Sequence, residues 1–333
     1  MNQKIVIRRP GGLDRIELVE EAEPIPAPGE AKVRILAAGC AYGDILLRRG
    51  LAGGNFPVTP GYDLVGKVEA LGPGTSQFRV GDQVAALPGT GGQQRCICLA
   101  ESELIAMPSG LPADKAVSVI LNYTTAYQLL TRATHLKAGG VAFIYGLAGG
   151  VGTAMRQIAK QLGIVIYGTA SGGKVEMARR DGTVVFKRDD PELIAAVHAR
   201  RPGGVNAVFD PIGGASLGRS YRLLASGGTL VMLGAASAVQ GDSNPKLKLV
   251  GTLARFLQLK LRPGSRHAKI FVILQSKKKH SEQFRNDVMT MLDWLKDGKI
   301  DPVIERTLPL SEARHAQELL EGSQVLGKIV LKT

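Results

Sequence analysis

The chain has 333 residues, 44% of them apolar and 21% charged, with 42 glycines and a formal net charge of +13. That length points to two domains, and the composition is that of a soluble globular protein, not a disordered or fibrous one. Cys40, Cys96 and Cys98 are too few for a disulfide framework, which implies a reducing compartment and so the cytoplasm, while the positive surplus asks for an anionic ligand or surface.

The start, M-N-Q-K-I-V-I-R-R-P, lacks the apolar core of a signal peptide, and no apolar run reaches the length of a membrane span. Lys4 to Arg8 and Ile16 to Val19 read as short strands around a Pro10-Gly11-Gly12 turn. Pro24, Pro26, Pro28 and Gly29 break the chain before Ala31 to Ala38, which alternates like a half-buried strand. Gly39 to Gly50 reads as a turn and short helix, and Val65 to Ala70 and Phe78 to Ala85 as further strands. Leu111 to Ala133 is rich in helix formers. This β-rich start precedes the most informative stretch.

That stretch is V-A-F-I-Y-G-L-A-G-G-V-G, Val141 to Gly152. An apolar run of strand type meets a glycine cluster at once, and a helical period follows through Met155, Ile158 and Leu162 to a stop at Gly163. Strand, glycine turn and helix together let backbone approach a pyrophosphate, whose charge the free amides at the helix start attract. Ile164 to Thr169, the T-V-V-F-K stretch, Val205 to Phe209 and Gly228 to Leu233 follow as further strands of one parallel sheet. No acid stands between Gly168 and Ser171, where an NAD-specific fold binds the ribose diol. Ser171 and Lys174 instead favour a 2′-phosphate, and thus NADPH.

Lys246 to Arg285 holds eleven Lys/Arg against one acid, Glu282. Leucines alternate with the charges over its first half. The stretch reads as a solvated face, as part of a dimer region, as a surface for an anionic membrane, or as a receptor for phosphopantetheine or coenzyme A. No nucleic-acid motif accompanies the charge. Asp287 to Gly298 is an amphipathic helix, and the chain closes as strand, helix capped by Ser311, and strand.

The succession P-G-Y-D-L-V-G-K-V, V-G-D-Q-V, L-N-Y-T-T-A-Y-Q-L-L and A-G-G-V-G resembles the medium-chain dehydrogenase/reductase superfamily over essentially the whole chain. It is closest to the zinc-independent quinone oxidoreductase branch, which includes relatives of the vesicle amine transport protein. The resemblance implies an α/β protein: a GroES-like β-barrel catalytic domain, residues 1–120 and 265–333, plus an inserted Rossmann domain with a doubly wound parallel sheet, residues 121–264. It implies an NADPH-dependent reductase acting on a quinone or α,β-unsaturated carbonyl, in a homodimer. The alternatives are an enoyl-thioester or natural-product tailoring reductase and a nucleotide-binding protein at the membrane surface.

By the same resemblance, the cofactor-binding set is Thr125, Gly146, Ala148, Gly149, Gly150, Val151, Thr169, Ser171, Lys174, Lys187, Gly213, Leu233 and Gly234. Lys187 takes the place of a tyrosine common in zinc-independent relatives. Gly213 and Gly234 serve equally as plain turn glycines. Asn122, Thr124 and Thr125 fall where the family's chain passes under the nicotinamide. Tyr42, Asp44, Tyr62 and Asn122 are the candidate catalytic residues.

The zinc-ligand positions of the alcohol dehydrogenases fall on Ala41 and on Gly61-Tyr62-Asp63, and neither methyl nor phenol replaces thiolate or imidazole. Cys96 and Cys98 fall short of a four-thiolate site, so no metal is expected. In enoyl-thioester reductases a tyrosine follows the R-x-G segment, whereas Ala52 stands here, so the proton donor is not identified.

Overall fold

The computed structural model describes residues 1–170, 172–179, 182–188, 190–239 and 244–333, with Met177 described without its side chain. In chain order the strands are β1 (Asn2–Val6), β2 (Glu17–Glu21), β3 (Glu30–Cys40), β4 (Leu64–Leu71), β5 (Gln83–Ala86), β6 (Cys96–Ala100), β7 (Ile105–Ala106), β8 (Val141–Tyr145), β9 (Val165–Ala170), β10 (Val184–Lys187), β11 (Val205–Asp210), β12 (Leu224–Met232), β13 (His267–Ile270), β14 (Ile304–Pro309) and β15 (Lys328–Lys332). They fall into two compact units, one of Met1–Thr124 with Lys277–Thr333, the other of Thr125–Ser276.

In the first unit β1 and β2 form an antiparallel ribbon. A larger sheet runs β14-β15-β3-β4-β5-β7, with β6 also bonded to β3. Only β14 and β15 run parallel within it. The eleven-residue β3 organises this sheet through the period of two. Ala31, Val33 and Ile35 point into the core with Leu64, Val84 and Leu104. Between them Lys32 and Arg34 point outward and pair with Glu23 and Glu69.

Two local expectations give way here. Phe78 to Asp82 is a turn, not the start of a strand, because the Arg79 amide donates to Asp82 Oδ2 at 2.8 Å and Gly81 takes a positive φ of 97°. The closing helix, Ala313–Glu321, is entered through a 3₁₀ turn over Leu310–Glu312 that absorbs Ser311, so no side chain caps it.

In the second unit six strands run parallel in the order β10-β9-β8-β11-β12-β13. The chain winds from β8 outward to β10 on one side, then from β11 outward to β13 on the other. The order therefore reverses beside β8, which is where such sheets open a crevice at their carboxyl ends. Helix Gly150–Leu162 buries Ala154, Met155, Ile158 and Ala159, and ends in the left-handed Gly163, φ 67°. Phe143, Phe209, Leu217, Leu230 and Phe256 fill the core. β13 belongs to this unit because its register runs along β12, from Thr229↔His267 to Met232↔Ile270. Charge patterning hides that strand in the sequence. Among the described residues no helix is long and apolar enough to cross a membrane.

Candidate functional site

The glycine turn after β8 is built by close backbone approach. The amides of Gly146 and Leu147 both donate to Thr169 O, at 3.1 and 2.9 Å, and Gly146 N–H also reaches Thr169 Oγ1 at 3.3 Å. Thr169 is fully buried, so it holds the turn from beneath at the end of β9. Gly146 takes φ 79°, a left-handed conformation that costs a side-chain-bearing residue energy. Gly149 caps helix Gly150–Leu162 and no side chain bonds to the helix start. The first amides of a helix have no partner within it and carry its positive dipole end. Ala148 is nearly buried; Gly149, Gly150 and Val151 are at least partly open to solvent. This cradle fits a pyrophosphate.

Beside it, β10 pairs with β9 so that Lys187 stands opposite Ala170. An exposed ammonium is thus brought to the end of β9. Lys174 is the first residue of the short helix Lys174–Arg179 and is half-buried. Ser171, assigned with them to a 2′-phosphate, lies outside the described residues.

At the ends of β11 and β12, Asp210 is buried and organises the turn. Its carboxylate accepts from the amides of Ile212 and Gly213 and from the hydroxyls of Ser216 and Ser220, at 2.6–3.0 Å. The Leu233 amide donates to Asp210 O. A methyl group on Gly213 would lie 2.9 Å from Thr252 Cγ2, and one on Gly234 2.7 Å from Pro211 O. Both glycines therefore permit packing of the turns on each other and on helix Pro245–Lys260.

Residues Ala113 to Ala133 do not form one regular helix. Wider π turns span Val119–Tyr123 and Leu129–Ala133, and such turns recur at functional positions. Asn122 lies in the first of them. Thr124 spends its hydroxyl on Val119 O at 3.3 Å. The Thr125 hydroxyl is buried and has no hydrogen-bond partner, a costly state unless a ligand completes it.

In the first unit Tyr42 begins the short helix Tyr42–Arg48, and Asp44 ties it down. Asp44 is fully buried; its carboxylate accepts the amides of Ala41 and Gly61, each at 2.8 Å. It is a clamp between the helix start and the loop carrying Tyr62. The Tyr62 ring lies on the backbone of Gly43, where a methyl group would sit 2.6 Å from it. Burial pushes both the Tyr42 and Tyr62 phenols up to about 12, so both keep their protons at neutral pH.

Burial likewise lifts the Asp44 carboxyl to about 7, against the pull of its two amides. A carboxyl raised above its unfolded value contributes stability that is full below about 4 and is lost as pH rises through about 7. The unfolding free energy read from denaturant titration should therefore fall from pH 5 to pH 7, by up to about 1.4 kcal/mol per pH unit, and level off above that. Asp44→Asn should flatten that slope whatever its overall cost; an unchanged slope rejects the assignment.

Next to Tyr62, Asp63 is fully buried and paired with Lys328 Nζ at 2.6 Å. The Gly61-Tyr62-Asp63 segment thus carries a carboxylate–ammonium pair, and Ala41 offers only its backbone. Among the described residues one trio has ligand-like spacing, Glu23, Glu69 and Cys96. Its carboxylates are already neutralised by Lys32 and Arg34, so it has the chemistry of an ion-pair network.

Comparison with known proteins agrees with this architecture. The family model of the alcohol dehydrogenase GroES-like domain matches residues 27–113, and that of the zinc-binding dehydrogenase matches 183–331. The synaptic vesicle membrane protein VAT-1 homolog of Danio rerio is 30% identical over 339 residues, covering 99% of this chain and 69% of that protein. Its Homo sapiens counterpart is 28% identical over 96% of this chain and 84% of its own length. Two solved structures superpose over the full length of both chains at 26% identity. They are a mycobacterial protein complexed with NADPH, TM-score 0.86, and a quinone oxidoreductase of Pseudomonas syringae, TM-score 0.88. The chain belongs to the medium-chain dehydrogenase/reductase superfamily of oxidoreductases, in its quinone oxidoreductase-like branch, alongside the VAT-1 homologues.

Proposed function

We propose that this protein is an NADPH-dependent reductase of quinones or α,β-unsaturated carbonyl compounds that works without zinc. The observation that carries the reading is the glycine cradle at the carboxyl edge of the parallel sheet, held by Thr169 and left uncapped by any side chain. Gly150 and Val151 hold the pyrophosphate through backbone amides at the helix start, while Gly146 and Gly149 shape the cradle, their own amides donated to Thr169 O and Gly146 O, with Ala148 buried beside them. Lys174 and Lys187, with Ser171, meet the 2′-phosphate; the sequence has no acid from Gly168 to Ser171, where NADH would need one. Gly213, Leu233 and Gly234 border the dinucleotide's other half. The NADPH-bound mycobacterial neighbour supports the choice of cofactor.

Bound there, the reduced dinucleotide supplies a hydride, which with one proton converts a quinone to its hydroquinone stage or saturates a conjugated C=C bond. The Thr125 hydroxyl completes its hydrogen bonding on the nicotinamide end, and Asn122 orients the ring or the acceptor. In the first unit Tyr42 and Tyr62 are assigned to the acceptor, with Asp44 holding the loop that carries Tyr62. NADPH oxidation in the presence of separate quinone and enone panels tests the reading. Turnover on at least one panel, with NADPH preferred over NADH, is expected; no turnover on either overturns it.

We further propose that the protein is a homodimer of the cytoplasm that pairs through β13. Among the described residues β13 ends the parallel sheet with a free edge, the kind of edge that invites pairing. The face continues onto helix Pro245–Lys260. Its outward Leu247, Val250 and Leu257, with the following Leu261, are 70%, 63%, 53% and 79% exposed, and Ile270 at the end of β13 and Val272 just after it are exposed as well. So much apolar surface on one face marks an interaction site. Light scattering should give the mass of two chains, and Leu257→Gln with Ile270→Lys should give one. A wild-type monomer that sediments with anionic vesicles would assign the face to a membrane instead.

A further inference from the structure

An open surface groove with about 610 Å³ of space lies on the second unit, bordered by helix Pro245–Lys260 and by the turns that follow β11 and β12. The helix contributes Lys248, Gly251, Thr252 and Arg255; the turns contribute Gly214 and Ser237. Lys248 and Arg255 are seven residues apart, two helical turns, so both cations look the same way. Among the described residues no acidic side chain lines the space. Asp210, at the root of the first turn, is buried and spends its charge inward on two amides and two hydroxyls.

Glycines make the room. A methyl group on Gly251, between the two cations, would meet nothing within 4 Å. One on Gly218 would lie 2.8 Å from Arg255 Nη2, so glycine there lets the guanidinium lie against helix Ser216–Leu223. That helix has no side-chain cap and begins at the groove wall, adding a positive dipole end. The volume is too large for a bare ion and suits part of a small organic molecule.

Resting on the reductase reading, we propose that this groove receives the phosphate-bearing tail of an acyl-thioester substrate, a phosphopantetheine arm either free in coenzyme A or carried on a protein. The turns that wall it are those whose Gly213 and Gly234 border the dinucleotide, so the tail lies beside the cofactor edge in the same unit. Lys248 and Arg255 hold the phosphate, and Ser237 offers a hydroxyl to it.

The test is calorimetric titration of coenzyme A, and separately of 4′-phosphopantetheine, into protein saturated with NADP⁺, which keeps the dinucleotide site filled. Saturable binding of both assigns the groove to the phosphate the two share; binding of coenzyme A alone assigns it to the free thioester. Lys248→Gln with Arg255→Gln should weaken binding at least about tenfold, the loss expected for charge-assisted hydrogen bonds. Gly251→Leu should block it by filling the space. Both variants should raise KM for an enoyl-coenzyme A with kcat unchanged and leave KM for a neutral enone alone. Absence of binding, or variants that bind like wild type, overturns the proposal. Failure to reduce neutral enones would overturn the reductase reading instead, while the titration still reports on the groove.

Discussion

Replacing Lys328 by methionine should destabilise the protein by about 3–5 kcal/mol, the usual cost of leaving a buried charge without its partner. Lys328 Nζ and Asp63 Oδ2 are 2.6 Å apart, and the side chains are 2% and 0% exposed. Methionine keeps the length of the side chain and removes only the ammonium. Asp63 Oδ1 already lacks a hydrogen-bond partner, and among the described residues Lys328 is the cation paired with this carboxylate. Urea unfolding measures the loss, and adding Asp63→Asn should recover part of it, because the charge that needed compensation is gone. The space around the pair is just as tight. A methyl group on Gly39 would run into both side chains, so Gly39→Ala should approach the same loss. A shift below about 1 kcal/mol in Lys328→Met, the range of a surface pair, would contradict the buried pairing. Because Asp63 follows Tyr62 in the chain, turnover should fall with stability.

Gly152→Ala should weaken NADPH binding by about 10- to 100-fold, following from about 1–3 kcal/mol of overpacking. The added methyl group would collide with Gly146 O and lie 2.8 Å from Leu147 Cα and C. Those are backbone atoms of the turn itself, so relief requires the cradle to move. Fluorescence titration of NADPH checks this, with Gly173→Ala as control, since a methyl group at Gly173 meets nothing within 4 Å. An unchanged affinity in Gly152→Ala would mean that the cofactor does not use this turn.

Strands β8 to β12 of the parallel sheet were legible in the sequence because each centres on an apolar run, and the glycine cluster stands between strand and helix; β13, His-Ala-Lys-Ile, was not, because two of its four residues are basic or polar. What the sequence hid has local physical causes. The π turns around Asn122 and Leu129 do not alter the helical period enough to be read from composition. The Asp63–Lys328 pair joins residues 265 positions apart, which no spacing rule connects. Asp44 was a candidate in the sequence through resemblance; its hold on the amides of Ala41 and Gly61 was not legible, because only the folded loop brings them near. The basic stretch displayed its charge, but not that its helix keeps Phe256 and Leu259 inside while turning a second apolar face outward. Nor did it reveal the glycines that open a groove between Lys248 and Arg255.

The central claim is that a phosphorylated nicotinamide nucleotide binds the glycine cradle and reacts without a metal. Titration of NADPH and NADH into purified protein of measured zinc content tests it most directly. The account predicts saturable binding, tighter for NADPH, with substoichiometric zinc and turnover indifferent to a chelator. Failure to bind either nucleotide, or one zinc per chain whose removal abolishes turnover, would contradict it.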